Sequence, residues 1–173
     1  RRNVLIRRLP SIETLGETTV ICSDKTGTLT KNEMTIKKVY TNSREFDVGG
    51  TGYSTTGNIT YKGKPIGEKD LLVFRIGVLC NDASLDLKDK KIMIIGDPTE
   101  TALLVSAEKA GIKHEEFRKS WARIDEEPFD SIRKMMSTIN KSSENNKNYV
   151  FTKGAPEKVI ERCDRIILNG KIL

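Results

Sequence analysis

Asp24-Lys25-Thr26-Gly27-Thr28-Leu29-Thr30 directly follows the β-branched run Thr18-Thr19-Val20-Ile21. A strand that ends on an aspartate and breaks into a Thr/Gly loop leaves one carboxylate at the strand's carboxyl end, where open α/β sheets place their ligands. Held in line, a carboxylate can attack a terminal phosphoryl group once the crowd of negative charge is offset. Lys25 brings a cation, Thr26, Thr28 and Thr30 bring hydroxyls, and Gly27 lets backbone amides approach an oxyanion. A polar loop that merely ends a strand is the plainer alternative, and the strand context decides between them.

Three more stretches carry possible chemistry. Phe129-Asp130-Ser131-Ile132-Arg133-Lys134-Met135-Met136 sets an aromatic ring beside two cations at the mouth of a strand, a sensible receptor for a purine bearing phosphates. A core ring with a solvated basic edge reads the same residues without a ligand. In Lys153-Gly154-Ala155-Pro156-Glu157, small residues permit close approach and Pro156 opens a helix whose positive end faces an anion. Gly96-Asp97-Pro98-Thr99-Glu100-Thr101-Ala102-Leu103 reads as a capping box, with Asp97 as N-cap, Pro98 at the first helical position and Glu100 three residues after the cap.

Taken together, these four stretches resemble the P-type cation-transporting ATPases, most closely the calcium-pumping branch. The resemblance implies that Asp24 is the phosphorylated residue, with Lys25, Thr26 and Thr28 in its catalytic loop and Mg2+ held at Asp24 and Thr26. It implies an ATP pocket in which Phe129 stacks on adenine, Glu100 accepts the exocyclic amine, Lys153 is the pocket cation, Lys134 approaches the nucleotide, and Arg133 and Gly154 complete the lining. Residues 1–33 would then open a haloacid-dehalogenase-like α/β phosphorylation domain, and 34–173 would be an α+β nucleotide-binding domain. Domain closure about a hinge near Lys31 to Met34 would bring the terminal phosphate to Asp24. The family's later acidic motifs, membrane helices and actuator domain are absent from this stretch. It is therefore expected to bind nucleotide weakly without turning it over. The rest of the pump is its implied partner, the transported cation binds elsewhere, and the segment belongs on the cytosolic face of a membrane. Two other classes remain open: a haloacid-dehalogenase-type phosphatase or phosphotransferase, and a nucleotide-sensing module without catalysis. The phosphatases usually place a general acid two residues after the nucleophile. Thr26 stands there, so a phosphoenzyme should persist.

The elements that must position these residues are legible in outline. Pro10 and Gly16 bracket a short helical turn, and Thr18 to Cys22 predicts a buried strand. Met34 through Tyr40 and Glu45 to Val48 read as strands, and Tyr53-Ser54-Thr55 with Ile59-Thr60-Tyr61 as a hairpin across Gly57-Asn58. Leu72, Val73, Ile76, Leu79 and Cys80 predict the core face of a helix within 68–80, and Lys91 to Ile95 a buried strand. The helix from Pro98 has the core stripe Leu103, Leu104 and Ala107 and stops at Gly111. A polar helix over His114 to Ser120 has Trp121 behind it. Lys134 to Asn140 and Asn148 to Thr152 predict an antiparallel hairpin. Pro156 opens a helix toward Cys163, and Arg165 to Leu168 is expected to pair across Asn169-Gly170 with chain beyond Leu173. The whole is an α+β chain with a mostly antiparallel sheet and flanking helices, preceded by one strand and loop of an α/β domain.

Bulk properties narrow the classes. With 36% hydrophobic and 31% charged residues, the chain reads as an ordinary globular protein rather than a disordered one. No apolar run approaches the roughly twenty residues that cross a bilayer, and no secretory leader opens the chain. The net charge of +6 comes from lysines scattered among acids. That pattern argues against a nucleic-acid partner and suits attraction of a polyphosphate. Four arginines cluster in residues 1–8 and suit an anionic surface, an interdomain contact or a solvated terminus. Cys22, Cys80 and Cys163, without companion histidines at ligand spacing, read as reduced core thiols of an intracellular protein.

Overall fold

Proline lacks an amide hydrogen and has its φ preset, which suits the first turn of a helix, and α1 (Pro10–Gly16) begins at Pro10. The structure, a computed structural model, describes residues 10–86 and 93–173. The arginine cluster of residues 1–8 and the expected strand start at Lys91 and Ile92 lie outside the described residues. The chain divides into two units, residues 1–32 and 33–173. In the first, the expected strand at Thr18 to Cys22 does not form: these residues belong to no sheet, and Val20 and Ile21 are 72% and 82% exposed. A strand needs a neighbour for its amides and carbonyls, and no other strand occurs between residues 10 and 32.

The second unit opens with four antiparallel strands in sequence order, β1 (Lys38–Thr41), β2 (Arg44–Val48), β3 (Ile59–Tyr61) and β4 (Lys64–Pro65). Tyr53 to Thr55 is loop. The expected hairpin across Gly57-Asn58 is replaced because β3 already pairs with β2 on one side and β4 on the other. A short 3-10 turn (Glu68–Asp70) leads into α2 (Leu72–Leu79). Its buried residues are Phe74, Gly77, Val78 and Leu79, while Leu72 and Val73 are exposed. The helix starts four residues later than expected, and its inward stripe shifts accordingly. Asp70, 2% exposed, accepts from Arg44 Nη2 and Asn42 Nδ2, each at 2.7 Å. Arg44 also lies over the rings of Phe46 and Tyr61, so the buried carboxylate is paired by a cation that is itself packed.

Next come β5 (Ser84–Asp86), β6 (Met93–Ile95), α3 (Pro98–Lys109) and α4 (His114–Lys119). The β5–β6 ribbon buries one face only. Ile94 packs on the core, but Met93 and Ile95 are exposed, unlike the fully buried strand expected. The end of α3 satisfies its carbonyls through Gly111, whose φ of +84° lets Gly111 N–H reach Glu108 O and Ile112 N–H reach Ala107 O. The core joins Phe46, Val48 and Ile59 of the first sheet to Phe74 and Val78 of α2 and Leu104, Val105 and Ala107 of α3.

β7 (Trp121–Asp130), β8 (Met135–Ser142) and β9 (Asn148–Gly154) form a second antiparallel sheet in that order. The β8–β9 hairpin matches the sequence reading, whereas β7 was not foreseen. Trp121 packs against Phe117, Tyr149 and Phe151. α5 (Pro156–Ile160) follows, and β10 (Ile167–Leu168) pairs with β11 (Lys171–Ile172) across Asn169-Gly170. The final hairpin therefore closes on residues of this chain rather than on any beyond Leu173. Only Cys80 is a core thiol; Cys22 and Cys163 are exposed, which corrects the expectation of three. The described part is α+β with antiparallel sheets and flanking helices.

One buried group makes this fold acid-sensitive. The Glu108 side chain is 3% exposed and accepts from His114 N–H at 3.0 Å, His114 Nδ1 at 2.6 Å and Lys113 Nζ at 3.1 Å. Burial pushes its carboxyl upward, but the His114 and Lys113 donors outweigh burial and hold it below the usual glutamate range. A carboxyl depressed by folding contributes stability above its unfolded value and loses it as pH falls through the folded one. We expect Glu108→Gln to cost about 2 kcal/mol at neutral pH. The gap from wild type should close as pH drops below the ordinary glutamate range. Urea unfolding at a series of pH values measures this, and a gap constant down to strong acid would refute it.

Candidate functional site

Sheet register collects the residues singled out in the sequence. Asp130 pairs with Met135 and Met135 with Gly154, so one row crosses β7, β8 and β9 at a single end of the sheet. Phe129, Lys134 and Lys153 each sit one residue from that row. Phe129 is 63% exposed, which removes the reading of it as a core ring. Lys134 adopts φ +54° at the end of a tight turn, and its carbonyl accepts from Ala155 N–H at 3.0 Å. Arg133 builds that turn: its Nη2 donates to the carbonyls of Glu127, Pro128 and Met135, and its Nε is buried without a partner. Asp130 Oδ1 accepts from the amides of Ile132 and Arg133. The turn holds the ring and the lysine on either side of it.

Lys153 projects from β9 onto the end of α2. Its ammonium donates to Cys80 O at 2.7 Å and forms a close ion pair with Glu100. The Glu100 side chain, 15% exposed, uses its other oxygen to accept from Asp82 N–H at 3.1 Å. Half of the expected capping box is therefore replaced. Asp97 does cap α3, accepting from Thr99 N–H at 2.7 Å, and Thr99 holds its carboxyl below the usual aspartate range. Glu100 instead turns toward Lys153 and the α2 end, because a half-buried cation there outweighs one exposed amide at the helix start. The Cys80 thiol beneath is pushed up by burial.

Gly154 owes its lack of a side chain to packing. A Cβ there would lie 2.4 Å from Lys134 O, 2.5 Å from Met135 Cγ and 2.9 Å from Met135 Cα. The glycine thus clamps β9 against the start of β8.

The backbone carbonyls at the end of α2, Leu79 to Asn81, had no signal in the sequence as acceptors and prove central. The last carbonyls of a helix lack intrahelical partners and carry its negative pole. Arg118 donates to the carbonyls of Val78, Asn81 and Ala83. Arg123 donates to Leu79 O at 3.1 Å and Asn81 O at 2.7 Å, to Asp82 Oδ1 at 2.5 Å and to Glu126 Oε2 at 2.7 Å. The only hint available was negative: no glycine follows α2 to end it, so side chains had to satisfy its carbonyls.

In the first unit, Lys25 to Leu29 forms one wide turn closed by Thr30 N–H on Lys25 O at 3.1 Å. Asp24 caps it, its Oδ1 accepting from Thr26 N–H at 3.3 Å. Asp24, Lys25, Thr26 and Thr28 are all exposed. No group of three or more His, Cys, Asp or Glu side chains gathers as a metal cage among the described residues. Mg2+ commonly takes one or two carboxylates and completes its shell with phosphate oxygens and water, so the exposed Asp24 carboxylate fits as one ligand. An exposed ring, two lysines and a hydrogen-bond-accepting carboxylate at one sheet end fit an adenine nucleotide.

Comparison with known proteins covers nearly the whole chain. Residues 72–173 match the family described as P-type ATPase, cytoplasmic domain N. A calcium-transporting ATPase of Bacillus subtilis is 39% identical over 98% of this chain and 19% of its own length. The cation-transporting ATPase pma1 of Synechocystis is 38% identical over 98% and 19%. Calcium-transporting ATPase 1 of Bacillus cereus is 41% identical over 99% and 17%. The chain spans under a fifth of the length of these relatives.

Proposed function

Because this chain belongs to the P-type cation-transporting ATPases, we propose that it binds ATP by its adenine at the Asp130–Met135–Gly154 end of the second sheet and that Asp24 accepts the terminal phosphate in the intact pump. The observation that carries this reading is the meeting of Lys153 and Glu100, 53 residues apart, beside the sheet end that holds Phe129 and Lys134. Phe129 offers a face for the purine, Glu100 accepts the exocyclic amine, and Lys134 and Lys153 offset phosphate charge. Arg133 and Gly154 shape the turn and strand that carry them. In the transfer step, an Asp24 carboxylate oxygen forms a bond to the γ-phosphorus as the bond to the bridging oxygen of ADP breaks, and ADP leaves with that electron pair. Asp24 and Thr26 would hold Mg2+, which would supply charge neutralisation when bound. Lys25, Thr26 and Thr28 orient the loop around the acceptor.

The calcium-transporting names of two relatives make calcium the proposed cargo, bound by parts of the pump other than these residues. Among the described residues no helix is long and apolar enough to cross a membrane. The proposed setting is the cytosolic face of a membrane, beside membrane helices, an actuator domain and the remainder of a phosphorylation domain.

Titration of the 173-residue chain with ADP, followed by amide and side-chain NMR, tests the pocket. Phe129, Glu100 and Lys153 should shift together and saturably. Lys153→Met should weaken binding by roughly a hundred-fold, since it removes a charge and strands Glu100. Shifts confined to scattered surface lysines such as Lys62 and Lys64 would defeat the assignment.

A further inference from the structure

Lys153 and Glu100 are not aimed by their own backbones alone. The ammonium rests on Cys80 O and the carboxylate on Asp82 N–H, and Asn81 Nδ2 donates to Glu100 O and Gly77 O at 2.9 Å each. The direction of both pocket charges therefore depends on where residues 79–82 lie. Cys80 ends α2 with φ −89° and ψ 69°, outside the helical region, so this segment takes its path from the groups that hold it. Thr138 Oγ1 reaches Leu79 O from β8, and the two arginines take most of the remaining acceptors.

Arg118 and Arg123 differ in what else they join. Arg118 grips carbonyls only. Arg123 bonds two carbonyls of the segment, the Asp82 side chain, and Glu126 on its own strand β7. That strand carries Phe129 six residues after Arg123. A planar guanidinium with five donors is the one side chain able to meet four such acceptors at once.

We propose that Arg123 is a positioning residue of the nucleotide pocket: without touching nucleotide, it locks the strand that carries Phe129 to the α2 exit that aims Lys153 and Glu100. The inference rests on the nucleotide reading of that pocket, but its first consequence is visible without nucleotide. In the Arg123→Met chain, the Lys153 ammonium resonance and the Asp82 amide resonance should move toward the positions of an unrestrained lysine and a solvent-exposed amide. The amides of β1 to β3 should stay in place. ADP affinity should fall by roughly ten-fold, as for loss of charge-assisted hydrogen bonds that orient a binding group. In a Lys153→Met background, Arg123→Met should cost less than it does alone, because part of its effect acts through Lys153.

Unmoved Lys153 and Asp82 resonances, or fully additive losses in the double variant, overturn the proposal. If wild type itself fails to bind ADP, the pocket reading falls, and the nucleotide-free resonances still decide the role of Arg123. Should Arg123→Met not fold, Glu126→Gln loosens the same guanidinium from the exposed side. It should displace the Lys153 resonance in the same direction by a smaller amount, and no displacement counts against the idea.

Discussion

Asp24→Asn in the full-length pump is expected to abolish the acid-stable phosphoenzyme formed from γ-labelled ATP, a fall of about three orders of magnitude or more. The substitution is nearly isosteric. Its amide oxygen can still accept from Thr26 N–H, so the wide turn from Lys25 to Leu29 keeps its cap. What disappears is the anionic oxygen that would bond to phosphorus, since an amide oxygen is a far weaker nucleophile. The same change in the 173-residue chain should leave ADP affinity within about two-fold, because none of the residues proposed to face adenine lies in that loop. Acid-quenched labelling measures the first effect and calorimetry the second. Undiminished label in the asparagine variant would remove Asp24 from the acceptor role and leave the loop a polar turn.

Gly154→Ala should be a strongly damaging single-methyl change in the second unit, costing about 3 kcal/mol. Two of the three atoms a Cβ would meet belong to the Lys134 and Met135 backbone, which cannot swing aside as a side-chain tip would. The backbone at Gly154 is not left-handed, unlike that at Gly111, so the loss is steric rather than conformational. Relief requires β9 to slide away from β8 at the row that sets Phe129, Lys134 and Lys153 side by side. Stability and ADP affinity should thus drop together, whereas a surface substitution such as Lys147→Ala should change neither. Urea midpoints and ADP titration of the variant provide the check. Wild-type stability would mean the β8–β9 approach is looser than the distances imply.

The parts of the fold legible in the sequence are those whose stabilising groups lie nearby. Asp97-Pro98 announced α3 and Gly111 its end, because caps act within a turn of where they are written. The β8–β9 hairpin showed itself through the strand runs Lys134 to Asn140 and Asn148 to Thr152 on either side of the polar loop Lys141 to Lys147. β7 was invisible for the opposite reason. Its Asp125-Glu126-Glu127-Pro128 stretch shows no apolar alternation, and two register shifts, at Arg123/Asp125 and Glu127/Asp130, break what period remains. Thr18 to Cys22 carried strand propensity without a partner strand among the described residues of its unit, and propensity alone does not make a sheet.

The motif residues of the candidate site could be picked from the sequence, but their partners could not. Glu100 read as a cap residue because the competing cation, Lys153, is 53 positions away. Arg118 and Arg123 bond backbone carbonyls 35 to 44 positions away, and a carbonyl has no letter in a sequence. Gly154 was noticed as a ligand cradle, while its physical need is the contact with Lys134 O.

Asn42 lies in the turn between β1 and β2, and its Oδ1 accepts from Asn169 N–H at 2.7 Å. Two points 127 residues apart, near either end of the second unit, are thereby riveted together. A mechanical load pulling residues 33 and 173 apart would pass through that rivet and the short strands beside it, by the shortest bonded route. The Glu100–Lys153 pair lies off that route, so tension transmitted through the connections of this unit should reach the sheet end proposed for the purine last.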